Sequence, residues 1–173
     1  MNEFEELVKE LELEDKIRYC YQCGTCTGGC PIAALRNEYS PRRTLEALVQ
    51  GHGESLVSDE KVWLCTLCHT CLERCPQRVA VSEVCTKLKN FATRIGNVPG
   101  FEVAKLRMVL ETGRVIPTSA PIDRRREQLK LPKVQQTVGT EDLAAIVEAT
   151  GLKAILDGGK EWPAVLARAV GTE

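Results

Sequence analysis

A chain of 173 residues with 43% apolar and 27% charged residues and a formal net charge of −1 can bury one modest core, or one domain with an extension. It holds no run of about eighteen apolar residues that could cross a bilayer, and its acidic start, MNEFEELVKELELED, is the opposite of a secretory signal. A cytoplasmic protein is therefore expected, and 5% aromatic content with balanced charge argues against a platform for nucleic acid.

Residues 3–13 place Phe4, Leu7, Val8 and Leu11 at helical spacing, which predicts a short amphipathic helix. After a cysteine-rich stretch, Ser40–Pro41 is a helix start, with serine as N-cap and proline in the first turn. That helix runs through Thr44, Leu45, Leu48 and Val49 and stops at Gly51. Ser58-Asp59-Glu60 opens another short helix that delivers the chain into a second cysteine-rich stretch. Residues 83–95 read as a helix with Val84, Leu88, Phe91 and Ile95 on one face. Beyond Gly96 a helix over 101–111 is predicted, then a basic loop-like stretch punctuated by Pro117, Pro121 and Pro132. Thr140 can cap a helix over 141–150, and a last helix fits near 160–170. No alternating apolar run reads as a strand. The expected class is all-α, with a domain at 1–95 and an extension at 96–173.

The cysteines carry the chemistry. CYQCGTCTGGCP at 20–31 and CTLCHTCLERCP at 65–76 repeat the pattern C-x2-C-x2-C-x3-C-P, forty-five positions apart. Three cysteines at this spacing wrap one turn of chain round a 4Fe–4S cube. The fourth, followed by proline, is carried to the other cube. One cluster then takes Cys20, Cys23, Cys26 and Cys75, and the other takes Cys65, Cys68, Cys71 and Cys30. Pro31 and Pro76 hold the preceding cysteines extended, while Gly24, Gly28 and Gly29 let backbone approach the inorganic core.

Charge agrees with this reading. Residues 1–15 sum to −6 and residues 16–94, which hold every cysteine, to +4. Two oxidised clusters with their thiolates bring roughly −2 each. Arg18, Arg36, Arg74, Arg78 and Lys87 are candidate compensators, although ordinary solvated charges read the same way. Zinc is the competing metal, but a closed zinc site needs neither the third cysteine of each run nor its Cys-Pro ending. Several residues have plain explanations. Cys85 reads as a small apolar core group, and His69 as a neighbour that tunes or shields a cluster. His52 reads as an exposed turn residue and Trp63 as a cover over a cluster. Arg124, Arg125 and Arg126 read as a solvated basic loop, or more sharply as a docking patch.

YQCGTC…CP, the SPRRTLEAL helix and W-x-C-T-x-C together resemble the α-helical ferredoxin modules of fumarate reductase-type and glycolate oxidase-type iron–sulfur subunits. Over residues 1–115 the chain is similar to the family of small, C-lettered iron–sulfur subunits of CoB–CoM heterodisulfide reductases. The resemblance implies an electron-transfer subunit with two 4Fe–4S clusters and no active site of its own. Its implied partners are a flavin- and iron–sulfur-containing subunit and a CCG-type catalytic subunit that reduces CoM-S-S-CoB in methanogenesis. Hydrogenase or formate dehydrogenase would be linked indirectly, in a cytoplasmic complex. No Cys-Cys-Gly and no dinucleotide fingerprint occur in this chain, consistent with a wire between such partners. The alternatives are the iron–sulfur subunit of a glycolate or lactate oxidase or of a quinone-linked complex, or a freely diffusing two-cluster ferredoxin.

Overall fold

Residues 17–116, 118–134 and 140–156 are described by a computed structural model, and no strand occurs among them. The predicted helices over 3–13 and near 160–170 lie outside the described residues. The chain divides into two compact units, Met1–Asn97 and Val98–Glu173.

In the first unit, α1 (Thr25–Gly28), α2 (Pro31–Leu35), α3 (Pro41–Val49) and α4 (Gly53–Ser58) lead into a 3-10 turn at Glu60–Leu64. Then come α5 (Thr70–Glu73) and the long α6 (Val81–Arg94). Proline opens α2 and α3, where its missing N–H costs nothing and its fixed φ suits the first turn. Ser40 caps α3, its Oγ accepting from the Arg43 amide at 3.4 Å. The same hydroxyl lies 3.1 Å from Thr27 Oγ1, which in turn accepts from the Arg42 amide at 3.0 Å. These bonds hook α3 onto the first cysteine run. Gly51, at φ 79, ends the helix in the left-handed region that glycine tolerates. Asp59 caps the 3-10 turn by accepting from the Lys61 amide at 2.9 Å.

The core is built from α3, α4 and α6. Leu45, Leu48, Val57, Val62, Val79, Val84, Leu88 and Phe91 are all buried in one cluster. Each large side chain so buried contributes about 1.5–3 kcal/mol. Cys20, Cys71 and Cys75 pack against this cluster and Cys26 belongs to it, so both runs lean on one core. Helix α6 starts two residues before the predicted boundary and buries Val81, Ser82, Cys85 and Ala92 besides the anticipated residues. Ile95 caps it and stays 43% exposed, so the predicted apolar face ends one turn earlier.

The second unit contains α7 (Gly100–Thr112), α8 (Ala120–Gln128), α9 (Thr140–Thr150) and α10 (Leu152–Leu156). Helix α8 corrects the expectation of a loop. Pro121 falls in its first turn after Ser119, where proline starts a helix instead of breaking one. Arg124, Arg125 and Arg126 therefore lie on a helix, and no residue of α7 or α8 is buried. Within this unit Arg107 Nη2 donates to the Leu156 carbonyl at 2.8 Å. Among the described residues no helix is long and apolar enough to cross a membrane.

Candidate iron–sulfur centre

The two cysteine runs fold as repeats of one another. Gln22 (φ 61) and Gly24 (φ 80) are left-handed in the first run, and Leu67 (φ 54) and His69 (φ 60) in the second. Each run then enters a four-residue helix, α1 or α5, at a threonine. Glycine takes the left-handed position of the first copy without strain; His69 takes it in the second at a cost of about 1–2 kcal/mol. The histidine ring gains a partner there, Nδ1 lying 3.0 Å from the fully buried Ser82 hydroxyl.

The repetition extends to the sulfurs. Cys23 Sγ lies 3.3 Å from Thr25 Oγ1, and Cys68 Sγ lies 3.4 Å from Thr70 Oγ1. Each of these thiols is also favoured as thiolate by the backbone N–H of its threonine and by the hydroxyl of the residue after the run's first cysteine, Tyr21 or Thr66. All of these donors favour the thiolate, so Cys23 and Cys68 sit below the ordinary thiol range, threonine's side chain being the largest cause. Burial acts in the opposite direction on the third cysteines. It raises Cys26, and it raises Cys71 to about 11. Iron bound at those sulfurs would offset the burial, because a coordinating thiol is deprotonated outright.

The runs face each other. Arg74 crosses from the second run to lie against Gly29 of the first, where an added Cβ would meet its side chain at 2.9 Å. Cys71 is influenced by the charge of Cys26, and Tyr21 in the first run by that of Cys75 in the second. A cavity beside α5 is lined by Cys65, Cys68 and Cys71 together with Cys30 from the other run. Cys75 Sγ accepts from the Val79 amide at 3.3 Å. Four cysteines line one hollow, and hydroxyl and amide groups lie beside cysteinyl sulfurs, a donor set whose chemistry suits a cube with four cysteinyl corners.

Of the predicted compensators, Arg36 is paired with Glu38 at 2.6 Å, while Arg74 meets the first run. Two other bases reach the runs. Arg42 Nη1 donates to Gln22 Oε1 at 3.3 Å, and Gln22 Nε2 donates onward to Cys20 Sγ at 3.5 Å. Lys89 Nζ donates to the Cys65 carbonyl at 2.5 Å and lies 5.5 Å from the centre of the Trp63 ring. Trp63 is half-buried, its Nε1–H donating to the Asn97 carbonyl at 2.8 Å. His52 is exposed in its turn.

Cys85 is more than a core filler. It is 3% exposed, and its sulfur lies 3.6 Å from the hydroxyl of Tyr39, which is 6% exposed. Both side chains lie close enough to the Cys65 sulfur to favour its thiolate. Led by the Cys85 thiol, they lower Cys65 to about 5, while Cys85 itself is pushed well up by its bond to that sulfur and by burial. The signal missed in the sequence is positional: Cys85 and Lys89 are one turn apart on α6, so one helix presents both to the start of the second run.

Helical fold and doubled runs define the class: an α-helical ferredoxin-type protein with two 4Fe–4S clusters. Residues 16–79 match the 4Fe-4S dicluster domain family. The chain is 37% identical to a C-lettered iron–sulfur subunit of the CoB–CoM heterodisulfide reductase of Methanocaldococcus jannaschii, over 76% of this chain and 69% of that one. It is 31% identical to the C-lettered subunit of the H(2):CoB-CoM heterodisulfide,ferredoxin reductase of Methanothermobacter thermautotrophicus, over 92% and 87%. Identity to the equivalent subunit of the ferredoxin:CoB-CoM heterodisulfide reductase of Methanosarcina mazei is also 31%, over 83% and 92%. The chain belongs to this family of small, C-lettered iron–sulfur subunits of heterodisulfide reductases.

Proposed function

We propose that this chain is the electron-transfer subunit of a cytoplasmic heterodisulfide reductase complex and has no active site of its own. It would link a flavin- and iron–sulfur-containing subunit to a CCG-type catalytic subunit that reduces CoM-S-S-CoB, with hydrogenase or formate dehydrogenase upstream. When bound, the two 4Fe–4S clusters supply one-electron chemistry, and with it a route between those partners. The observation carrying the reading is the mutual approach of the runs, with Cys30 reaching the cavity lined by Cys65, Cys68 and Cys71.

In this reading Cys20, Cys23, Cys26 and Cys75 hold one cluster and Cys65, Cys68, Cys71 and Cys30 the other. Support comes from Cys30 in that cavity and from the charge of Cys75 acting on Tyr21. The chain's own residues do the holding. Thr25 and Thr70 orient the second cysteines, Gln22 orients Cys20, and the buried core behind both runs excludes water from one side. The second unit serves as the docking extension. Its helices α7 and α8 bury no side chain, and Phe101, Ile122, Leu129 and Ile146 stand exposed.

Anaerobic isolation of the native complex tests this. The chain should elute with the flavin-bearing and catalytic subunits, and reducing the flavin should reduce both clusters within turnover time. Elution of the chain by itself, still brown, would instead mark a diffusing ferredoxin. Association with a lactate- or glycolate-oxidising flavoprotein would transfer the same role to another enzyme.

A further inference from the structure

Two buried polar side chains lie beside Cys65 at the start of the second run. Tyr39 precedes the α3 cap and Cys85 lies mid-α6, and the two meet at 3.6 Å between hydroxyl and sulfur. Tyr39 stands between two hollows. Tyr39 lines both the cavity of Cys30, Cys65, Cys68 and Cys71 and a neighbouring cavity of about 240 Å³, which Cys85 also lines. A buried tyrosine hydroxyl requires a partner, and this one finds it in sulfur, 3.6 Å away at Cys85. Cys85 likewise has Tyr39 and Cys65 as its partners. At the equivalent cysteine of the first run, the side-chain donor seen among the described residues is the half-buried amide of Gln22, which reaches Cys20.

We propose that Tyr39 and Cys85 are positioning residues that hydrogen-bond the Cys65 sulfur and set the reduction potential of the cluster held by the second run. The inference rests on the assignment of Cys65 as a ligand of that cluster. Its physics is one of charge. Reduction adds one electron to the cube, and part of that charge falls on the cysteinyl sulfurs. An O–H or S–H directed at such a sulfur stabilises the reduced form more than the oxidised form, so it raises the potential. In a water-poor setting the effect is larger than at the surface. The pair therefore makes the second cluster easier to reduce than its four thiolates alone would.

EPR-monitored redox titration of the full chain carrying both clusters tests this, with Tyr39→Phe, Cys85→Ala and Cys85→Ser beside the wild type. Tyr39→Phe keeps the packing and removes only the hydroxyl. Tyr39→Phe and Cys85→Ala should each weaken reduction of the second cluster by about tenfold, which is 59 mV for one electron. The first cluster should keep its potential. Cys85→Ser retains an O–H donor and should return most of the shift. Resonance Raman supplies an independent reading, since the iron–cysteinyl sulfur stretch should move in Tyr39→Phe. Unchanged potential and Raman bands in Tyr39→Phe would overturn the proposal, as would an equal shift of both clusters. Cys65→Ser separates ligation from tuning. If it leaves the second cluster's signal intact, the ligand assignment fails. If it alters that signal while Tyr39→Phe does not, the tuning role fails and the assignment stands.

Discussion

Among the described residues, Lys89 is the one cation whose ammonium group both binds the backbone of a cluster cysteine and covers an aromatic ring, so Lys89→Met isolates its contribution while keeping the aliphatic stem. The ammonium donates to the Cys65 carbonyl at 2.5 Å, a charge-assisted hydrogen bond worth about 1.5–3 kcal/mol. Its position 5.5 Å above the Trp63 ring adds about 0.5–1 kcal/mol for a half-exposed pair. Taking the lower part of both ranges, because Lys89 is only half-buried, the second run should open locally about thirtyfold to a hundredfold more often. The assay is anaerobic cluster loss into excess chelator, followed by EPR so that the two clusters are counted separately. The second cluster should bleach faster by that factor, the first should hardly change, and Lys89→Arg should recover most of the difference. Wild-type loss rates in Lys89→Met, or acceleration of both clusters together, would refute the reasoning.

Other consequences concern the core behind the runs. Leu88 is 2% exposed at the centre of α6, and Leu88→Ala should cost about 2–5 kcal/mol in melting of the cluster-loaded chain. Ile95→Ala, at a side chain 43% exposed, should stay within about 0.5 kcal/mol by the same measurement. Asn97 donates from Nδ2 to the carbonyl of buried Val57 at 2.7 Å, so Asn97→Ala leaves that carbonyl unpaired. It should cost about 1–3 kcal/mol, read as a lowered chelator-resistance temperature.

Much of the cluster-bearing unit was readable because its signals are local. The C-x2-C-x2-C-x3-C-P runs announce their chemistry by spacing, and their repetition fixed which positions would correspond. Ser40–Pro41 and Gly51 bounded α3 correctly because capping and left-handed turns depend on one or two residues. The α8 helix was misread because Pro121 was counted as a break, when Ser119 before it makes it a first-turn residue. The roles of Tyr39, Cys85 and Lys89 were not readable, since they depend on α6 lying behind residue 65, a long-range packing event with no local signature. Cys85 looked apolar for the sound reason that it is buried. What burial conceals is the sulfur it faces.

The most direct test of the account is iron and sulfide counting with EPR on Cys30→Ser and Cys75→Ser, prepared anaerobically beside the wild type. Wild-type chain should carry eight irons and eight sulfides, the content of two 4Fe–4S cubes. Cys30→Ser should disturb the cluster held by Cys65, Cys68 and Cys71, and Cys75→Ser the one held by Cys20, Cys23 and Cys26. Disturbance confined to the cluster of the mutated run would contradict the exchange of ligands between runs, and wild-type material with only trace iron would contradict the clusters themselves.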